Sequence, residues 1–198
     1  MASDALGLSD IGIIVKPQDY DQVESDDFIL QEEKEKIFFL IKSKTDEYCF
    51  TNKALIHVDG KSAVSKKRTL KRLDYKKYSI QNVILETAGT IDLDIEIKFA
   101  IGSYQYSIDV HKKHLEELKD LYKALIKISS IQETNAQYLK YAQSSLEITS
   151  KSVNRSSGSN TLEQEFKTIN EYTFKWLTHF HETYNTQDFT SVFETFIK

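Results

Sequence analysis

The sequence is poor in cysteine, glycine and long apolar runs, and each shortage excludes a class of protein. Cys49 is the only cysteine among 198 residues, so no intrachain disulfide can form, which fits a reducing compartment. The six glycines form no glycine-rich loop, and we find no phosphate loop, dinucleotide fingerprint, nucleophile elbow or zinc-protease motif. The sequence therefore predicts neither a cofactor nor an enzyme of these classes.

Membrane and secretory signals are also missing. No apolar run approaches the ~20 residues that a membrane-spanning helix needs. Residues 1–10 lack a basic stretch followed by an apolar core, so we expect no secretory signal. A hydrophobic content of 40% and a charged content of 28% are typical of a globular chain. We expect a cytoplasmic protein.

The middle of the chain has the pattern of short β-strands. Residues 89–101 alternate apolar and polar side chains, which predicts a half-buried strand whose wet face carries Asp92, Asp94 and Glu96. About six further short segments resemble it, and they lie at 37–41, 48–50, 54–58, 67–73, 77–85 and 104–110. Seven strands with tight connections favour an antiparallel sandwich or barrel.

A helical period replaces the strand period at His111. Apolar residues then follow at steps of three and four through 115–128, which predicts an amphipathic helix that closes the barrel. Weaker helical patterns continue beyond it, interrupted by a small polar linker at 152–160. We therefore divide the chain into a lead-in segment (1–34), a barrel with its capping helix (35–128) and a helical extension (129–198).

Two motifs resemble a known family. A tyrosine-lysine segment from Tyr75 to Ile80 is followed by a Glu-Thr-Ala-Gly turn at 86–89 and by the acidic alternating strand. This order is similar to that of the bacterial pleckstrin-homology (PH) family, over roughly residues 35–128. The tail from about 130 resembles the YvbH-like oligomerisation region that follows this domain in some members.

The resemblance implies both a fold and a role. The fold is of the α+β class: a seven-stranded antiparallel, half-open, PH-like β-barrel, capped by a C-terminal amphipathic helix and followed by a helical extension. The role is that of a non-enzymatic module that forms homo-oligomers, often rings, without a metal or cofactor. No ligand is carried over, because the loop at 42–48 lacks the dense basic signature of phosphoinositide-binding relatives and contains Asp46 and Glu47.

The charges are strongly polarised along the chain. Residues 1–60 hold thirteen acidic residues against six lysines, whereas residues 61–77 hold eight basic residues against Asp74 alone. This basic run is a candidate patch for acidic lipid or another phosphate-bearing ligand. The alternatives are a solvated face, a lysine-protected sheet edge, or an acid-to-base contact between subunits. The candidate residues are Lys61, Lys66, Lys67, Arg68, Lys71, Arg72, Lys76 and Lys77.

Other polar groups have simpler explanations. The acidic stripe of the alternating strand could hold a cation or act as paired carboxylates, but alternation alone accounts for it. His111, His114 and Glu117 share one helix face, yet a tight metal site needs more convergent ligands. Nucleic acid is not an expected partner, because the basic run contains too few aromatic residues for base stacking.

The C-terminal tail is rich in aromatic residues whose apolar surface needs to be buried. Two interpretations stay open: packing within the chain, and a subunit interface, where aromatic residues are enriched. A third, insertion into a membrane surface, lacks the basic polar face that such helices carry. The candidate interface residues are Phe166, Tyr172, Trp176, Phe180, Phe189, Phe193 and Phe196.

Overall fold

The computed structural model describes residues 10–60, 67–87, 94–153 and 162–198, and these form two compact units. The first unit comprises the described residues up to Ser129 together with Gln187–Lys198, and the second unit comprises Ser130–Thr186. The strands, all in the first unit, are β1 (Ile13–Ile14), β2 (Ile37–Lys42), β3 (Asp46–Thr51), β4 (Ala54–Gly60), β5 (Arg68–Asp74), β6 (Ile80–Glu86), β7 (Asp94–Ile101) and β8 (Tyr104–His111). The helices are α1 (Leu115–Val153), α2 (Leu162–Tyr184) and α3 (Thr190–Phe196).

Two antiparallel sheets form the first unit. Strands β1 to β5 follow one another in a five-stranded sheet, and β6 to β8 form a three-stranded sheet. The α+β class and the PH-like arrangement are therefore confirmed, and the barrel is not closed. The seven predicted strands correspond to β2–β8, although residues 88–93 of the predicted acidic strand lie outside the described residues. The two-residue strand β1 was not predicted, because two apolar residues carry no period.

Strand β1 closes one seam between the sheets. Ile13 and Ile14 pair with β2, while the residue before them, Gly12, forms a bridge to β8. The amide of Gly12 donates to the carbonyl of Asp109, and the amide of His111 donates to the carbonyl of Gly12. A Cβ atom at Gly12 would lie 2.7 Å from Ile41 Cγ2 and 3.1 Å from the Asp109 oxygen. Glycine is therefore the residue that lets the backbone approach both sheets.

Aromatic rings fill the space between the sheets. Phe50 of the five-stranded sheet lies 6.0 Å from Phe99 of the three-stranded sheet, centroid to centroid, and Phe99 stacks on Tyr106 at 5.1 Å. Each of these side chains is at least nine-tenths buried. This cross-sheet contact follows from the strand alternation, since inward positions of both sheets carry apolar side chains. Cys49 is fully buried in a separate cluster that includes Leu40, and burial raises the pKa of its thiol to about 12, as expected for an inert cysteine.

The capping helix begins later and continues further than its pattern indicates. A 3₁₀ turn at Lys112–His114 precedes α1, whose first turns bury Leu118, Leu121 and Leu125 in the first unit. The whole helix has 39 residues, and those from Ser130 onward belong to the second unit. In the described part of the chain, no helix is both long and apolar enough to cross a membrane.

We expect Gly12→Ala to destabilise the first unit. The added methyl group would collide with Ile41 or push the Gly12 backbone away from β8, at a cost of about 1–3 kcal/mol of unfolding free energy. The loss of unfolding free energy is measured by urea unfolding, monitored by far-UV circular dichroism. Ser103→Ala, in an exposed turn, is the control, and equal stabilities of the two variants would contradict the closing role of Gly12.

Candidate functional site

Part of the basic run lies on β5, an edge strand of the five-stranded sheet. Arg68, Lys71 and Arg72 lie on the strand itself, and Lys76 and Lys77 lie in the turn that follows. Two of the candidate lysines, at positions 61 and 66, are outside the described residues. The described members of the candidate patch therefore lie on one strand, in the turn that follows it and, for Lys67, immediately before it.

Arg72 forms an ion pair with a buried carboxylate. Its two terminal nitrogens donate to the two oxygens of Glu35, each at 3.0 Å, and the Glu35 side chain is fully buried. Glu35 also accepts hydrogen bonds from the Thr51 hydroxyl at 2.6 Å and from the amide of Leu30 at 2.9 Å. The third nitrogen of Arg72, Nε, donates to Asp74 Oδ1 at 2.8 Å. A buried charge needs this degree of pairing to be tolerated.

Further cations of the run are paired within the chain as well. Arg68 contacts Glu24 at 3.2 Å, Lys71 contacts Asp59 at 2.9 Å, and Lys77 contacts Asp74 at 3.1 Å. Although burial opposes it, the hydrogen bonds from Lys77 and Arg72 hold the pKa of Asp74 below its usual value. The charge layout left open an acid-to-base contact between subunits; among the described residues, these acid-to-base contacts lie within the chain. Anion binding stays a prediction that these pairs do not favour.

The acidic stripe also has basic and hydroxyl partners. Glu96 contacts Lys98 at 2.9 Å and accepts a hydrogen bond from Ser107, and Lys98 also contacts Glu86 at 3.0 Å. Burial and the neighbouring charges of Glu96 and Asp94 raise the pKa of Asp109 on the adjacent strand. Asp92 lies outside the described residues. The described stripe behaves as a wet sheet face, on which Lys98 pairs with Glu96 of its own strand and with Glu86 of the adjacent strand.

The predicted histidine pair does not form a metal centre in the described structure. His114 Nδ1 contacts Glu117 at 3.3 Å, but His111 uses its Nδ1 to accept from the Lys113 amide. Among the residues that the structure describes, no group of three potential ligands converges on one point. His111 instead ends β8, and His114 lies in the 3₁₀ turn that starts the capping helix.

Sequence reasoning missed a buried histidine between the sheets. His57 Nε2 lies 3.0 Å from Asp46 Oδ1, and its ring stacks on Tyr48 at 4.4 Å and meets Tyr106 edge-on at 5.5 Å. Burial lowers the pKa of His57 below its usual value, against the opposing effect of its hydrogen bond to Asp46. The imidazole is therefore neutral near pH 7. In the sequence, the one indication that His57 is buried was its position in a run of apolar residues at 54–58.

The aromatic residues of α2 lie at the surface of the second unit. Tyr172 is 64% exposed, and Trp176 and Phe180 are half-buried. Phe166 lies on α2, whose backbone is described there. Phe174, which sequence reasoning did not select, is 68% exposed. Among the described side chains of α2, none is buried.

The second unit has almost no core of its own. Ala142 is its one buried apolar residue among the side chains that the structure describes there, whereas the first unit buries all the others. Tyr138 contacts Tyr184 at a centroid distance of 4.8 Å, but Tyr138 remains 45% exposed. Other large apolar side chains of this unit are also exposed, namely Tyr141, Ile148, Ile169 and Leu177.

The last three candidate aromatic residues behave differently, because they lie on or beside α3. Phe189 and Phe193 are buried in the first unit, and Phe196 is half-buried. Phe193 stacks on Phe38 at 5.2 Å, and Phe189 meets Tyr75 edge-on at 5.8 Å. For Phe189 and Phe193, packing within the chain accounts for the burial.

Comparisons with known proteins agree with this architecture. The family model described as the bacterial PH domain matches residues 5–129. The chain belongs to the bacterial PH domain family. A second family model, described as the YvbH-like oligomerisation region, matches residues 140–198 of this PH domain protein.

Individual relatives extend the comparison to the whole chain. The uncharacterised protein YvbH of Bacillus subtilis (strain 168) is 52% identical over 199 residues, covering 100% of this chain and 97% of YvbH. The crystal structure of a PH domain-containing protein from Exiguobacterium sibiricum 255-15 superposes with a TM-score of 0.88 at 48% identity, covering 96% of this chain and all of that one. The combination of PH domain and helical region is therefore shared by full-length relatives.

Two neighbouring cations of β5 should differ in their contribution to stability. We expect Arg72→Ala to cost about 3–5 kcal/mol of unfolding free energy, because it leaves the buried Glu35 carboxylate without its counter-charge. Lys71→Ala removes a part-exposed pair with Asp59 and should cost less than about 1 kcal/mol. Chemical denaturation of both variants checks the difference, and similar losses would refute the assignment of Glu35 and Arg72 as the dominant pair.

We also expect an acid-dependent loss of stability caused by His57. Its folded-state pKa is lowered, so the stability that neutral His57 contributes is present above the unfolded value of ~6.5 and is lost as the pH falls through the folded-state pKa. The difference between the unfolding free energies at pH 7.5 and 5.5 should be larger in the natural chain than in His57→Gln. Parallel pH profiles for both proteins would argue against this role.

Proposed function

We propose that this bacterial PH domain protein is a non-enzymatic assembly module that forms homo-oligomers through its second unit. The observation that carries the proposal is the exposed apolar surface of that unit, which has one buried apolar residue among its described side chains, whereas the first unit has a large buried core. A pair of helices exposes too much apolar area to be stable alone, and burial against another copy removes that area from water. The name of the matching YvbH-like oligomerisation region supports a second copy as the partner.

The spacing on α2 supports a helix-to-helix contact. Ile169, Thr173, Trp176 and Phe180 follow one another at steps of four, three and four, so they form one stripe along the helix. Tyr172 lies beside this stripe and is mostly exposed. Such a stripe packs into the groove of a neighbouring helix, and aromatic residues at its centre are typical anchors of subunit interfaces. Rings of subunits, as in the family resemblance, are compatible with this contact.

The alternative function, binding of an acidic lipid or another phosphate-bearing ligand through residues 61–77, has weaker support. Arg68, Lys71, Arg72 and Lys77 each contact a carboxylate of the same chain. A phosphate would have to displace these carboxylates, which reduces the net gain from binding. Assembly through the second unit is therefore the function that the described residues support best.

Charged substitutions on the stripe and beside it test the assembly. Ile169→Glu and Tyr172→Glu place a carboxylate on exposed apolar positions, where it would be desolvated in a subunit interface at a cost of several kcal/mol. We expect both variants to shift the mass measured by light scattering toward that of the single chain. Circular dichroism should be unchanged, because neither side chain is buried in the chain.

Thr178→Glu is the matched control for these variants. It introduces the same charge on the exposed face of α2 away from the stripe. We expect the control to retain the mass of the natural protein. A natural chain that is monomeric, or equal masses for all three variants and the natural chain, would disprove the proposed function.

A further inference from the structure

We infer that the first unit contains a binding groove for a short amphipathic helix, and that the chain's own C-terminal segment, Gln187–Lys198, is its resident ligand. The groove is formed by side chains from three different places in the sheet: Phe38 on β2, Asn52 in the β3–β4 turn and Tyr75 after β5. None of these residues is adjacent in sequence to the helix that they hold.

Aromatic contacts supply the apolar part of the recognition. Phe193 stacks on Phe38 at 5.2 Å with an interplanar angle of 18°, and it lies 6.4 Å from Tyr75. Phe189 meets Tyr75 edge-on at 5.8 Å. Both phenylalanines and Val192 are at least nine-tenths buried. The anchors therefore lie at positions i, i+3 and i+4, the spacing by which an amphipathic helix is recognised in a groove.

Asn52 supplies the polar part of the recognition. Its side-chain amide donates to Asp188 Oδ2 at 2.9 Å and to the Thr190 hydroxyl at 3.1 Å, and its backbone carbonyl accepts from the amide of Phe189 at 2.8 Å. Its side-chain oxygen accepts from the amide of Lys36 at 2.8 Å, which fixes the orientation of the amide group. One buried residue thus binds the start of the helix through both backbone and side chain.

The segment is a separate ligand rather than a continuation of α2. Residues 185–189 between α2 and α3 are not helical, and α3 has only seven residues. A helix of this length is not stable in water by itself, so its order comes from the groove. The groove accordingly selects a helix with two aromatic anchors and one branched apolar anchor, preceded by an aspartate.

A peptide exchange experiment tests the groove in the full-length protein. We expect Phe193→Ala to lower the midpoint of thermal unfolding of the first unit by about 10 °C, because a fully buried aromatic side chain is lost. A labelled peptide of residues 186–198 should then bind this variant saturably and raise its midpoint. The natural chain, whose groove is occupied, should bind the same peptide at least about tenfold more weakly.

Two controls make the test specific. Glu194→Ala changes an exposed position of the same helix and should leave both the midpoint and peptide binding as in the natural chain. The peptide carrying Phe193→Ala should not bind any of the proteins. If the Phe193→Ala chain does not fold, Val192→Ala, with a smaller loss of buried surface, is used with the same peptides.

The outcomes separate this inference from the proposed function. Peptide capture by the weakened chain at an unchanged oligomer mass supports the groove. A Phe193→Ala variant that loses oligomer mass while its first unit unfolds at the natural temperature would overturn the groove and assign the residue to a subunit interface. Equal peptide binding by natural and variant chains would also overturn it, since the peptide would then be bound elsewhere.

Discussion

A buried polar cluster at the β3–β4 turn joins parts of the first unit that come from distant positions in the chain. Glu35, from the segment between β1 and β2, is held by Thr51 and Arg72, so this acidic segment and β5 are fixed to the same point. Asn52, which follows Thr51 in the sequence, forms hydrogen bonds to Lys36 and to the C-terminal segment. Because these groups are buried, each needs its partner. Removal of one partner leaves the others buried and unpaired, which destabilises the fold by their desolvation penalty. The cluster therefore constrains both ends of the described first unit.

The same cluster explains the charge layout of the sequence. The acidic excess before residue 60 and the basic run after it are complementary, and at least three ion pairs connect the two. Exposed pairs contribute little to stability, but the Glu35–Arg72 pair is buried and bidentate, which gives it geometric specificity as well as energy. The polarised charge is thus used to a large extent within the chain, and this leaves apolar surface, rather than basic surface, as the feature that most needs a partner.

Burial divides the chain into parts with different roles. The first unit buries a large apolar core, with the rings of Phe50, Phe99 and Tyr106 crossing between the sheets, although some of its other apolar side chains are exposed. The second unit does not, and its tyrosines and isoleucines remain exposed on two helices. The aromatic tail, which looks uniform in sequence, is split by this criterion: Tyr172 belongs to the exposed surface, while Phe189 and Phe193 complete the first unit. Assembly and internal packing are thus assigned to neighbouring segments of one region.

The sequence by itself determined the elements whose pattern is local. Strict alternation predicted the acidic strand, helical spacing predicted the capping helix, and two short motifs indicated the family, because side-chain direction follows directly from strand and helix geometry. Only the tertiary structure decided which groups meet across long separations. Glu35 and Arg72 are 37 residues apart, and Asn52 and Asp188 are 136 residues apart; no periodicity records such pairs. The short strand β1, the buried His57 and the docking of α3 were hidden for the same reason: each depends on a partner that the fold, and not the local sequence, brings within hydrogen-bonding or van der Waals distance.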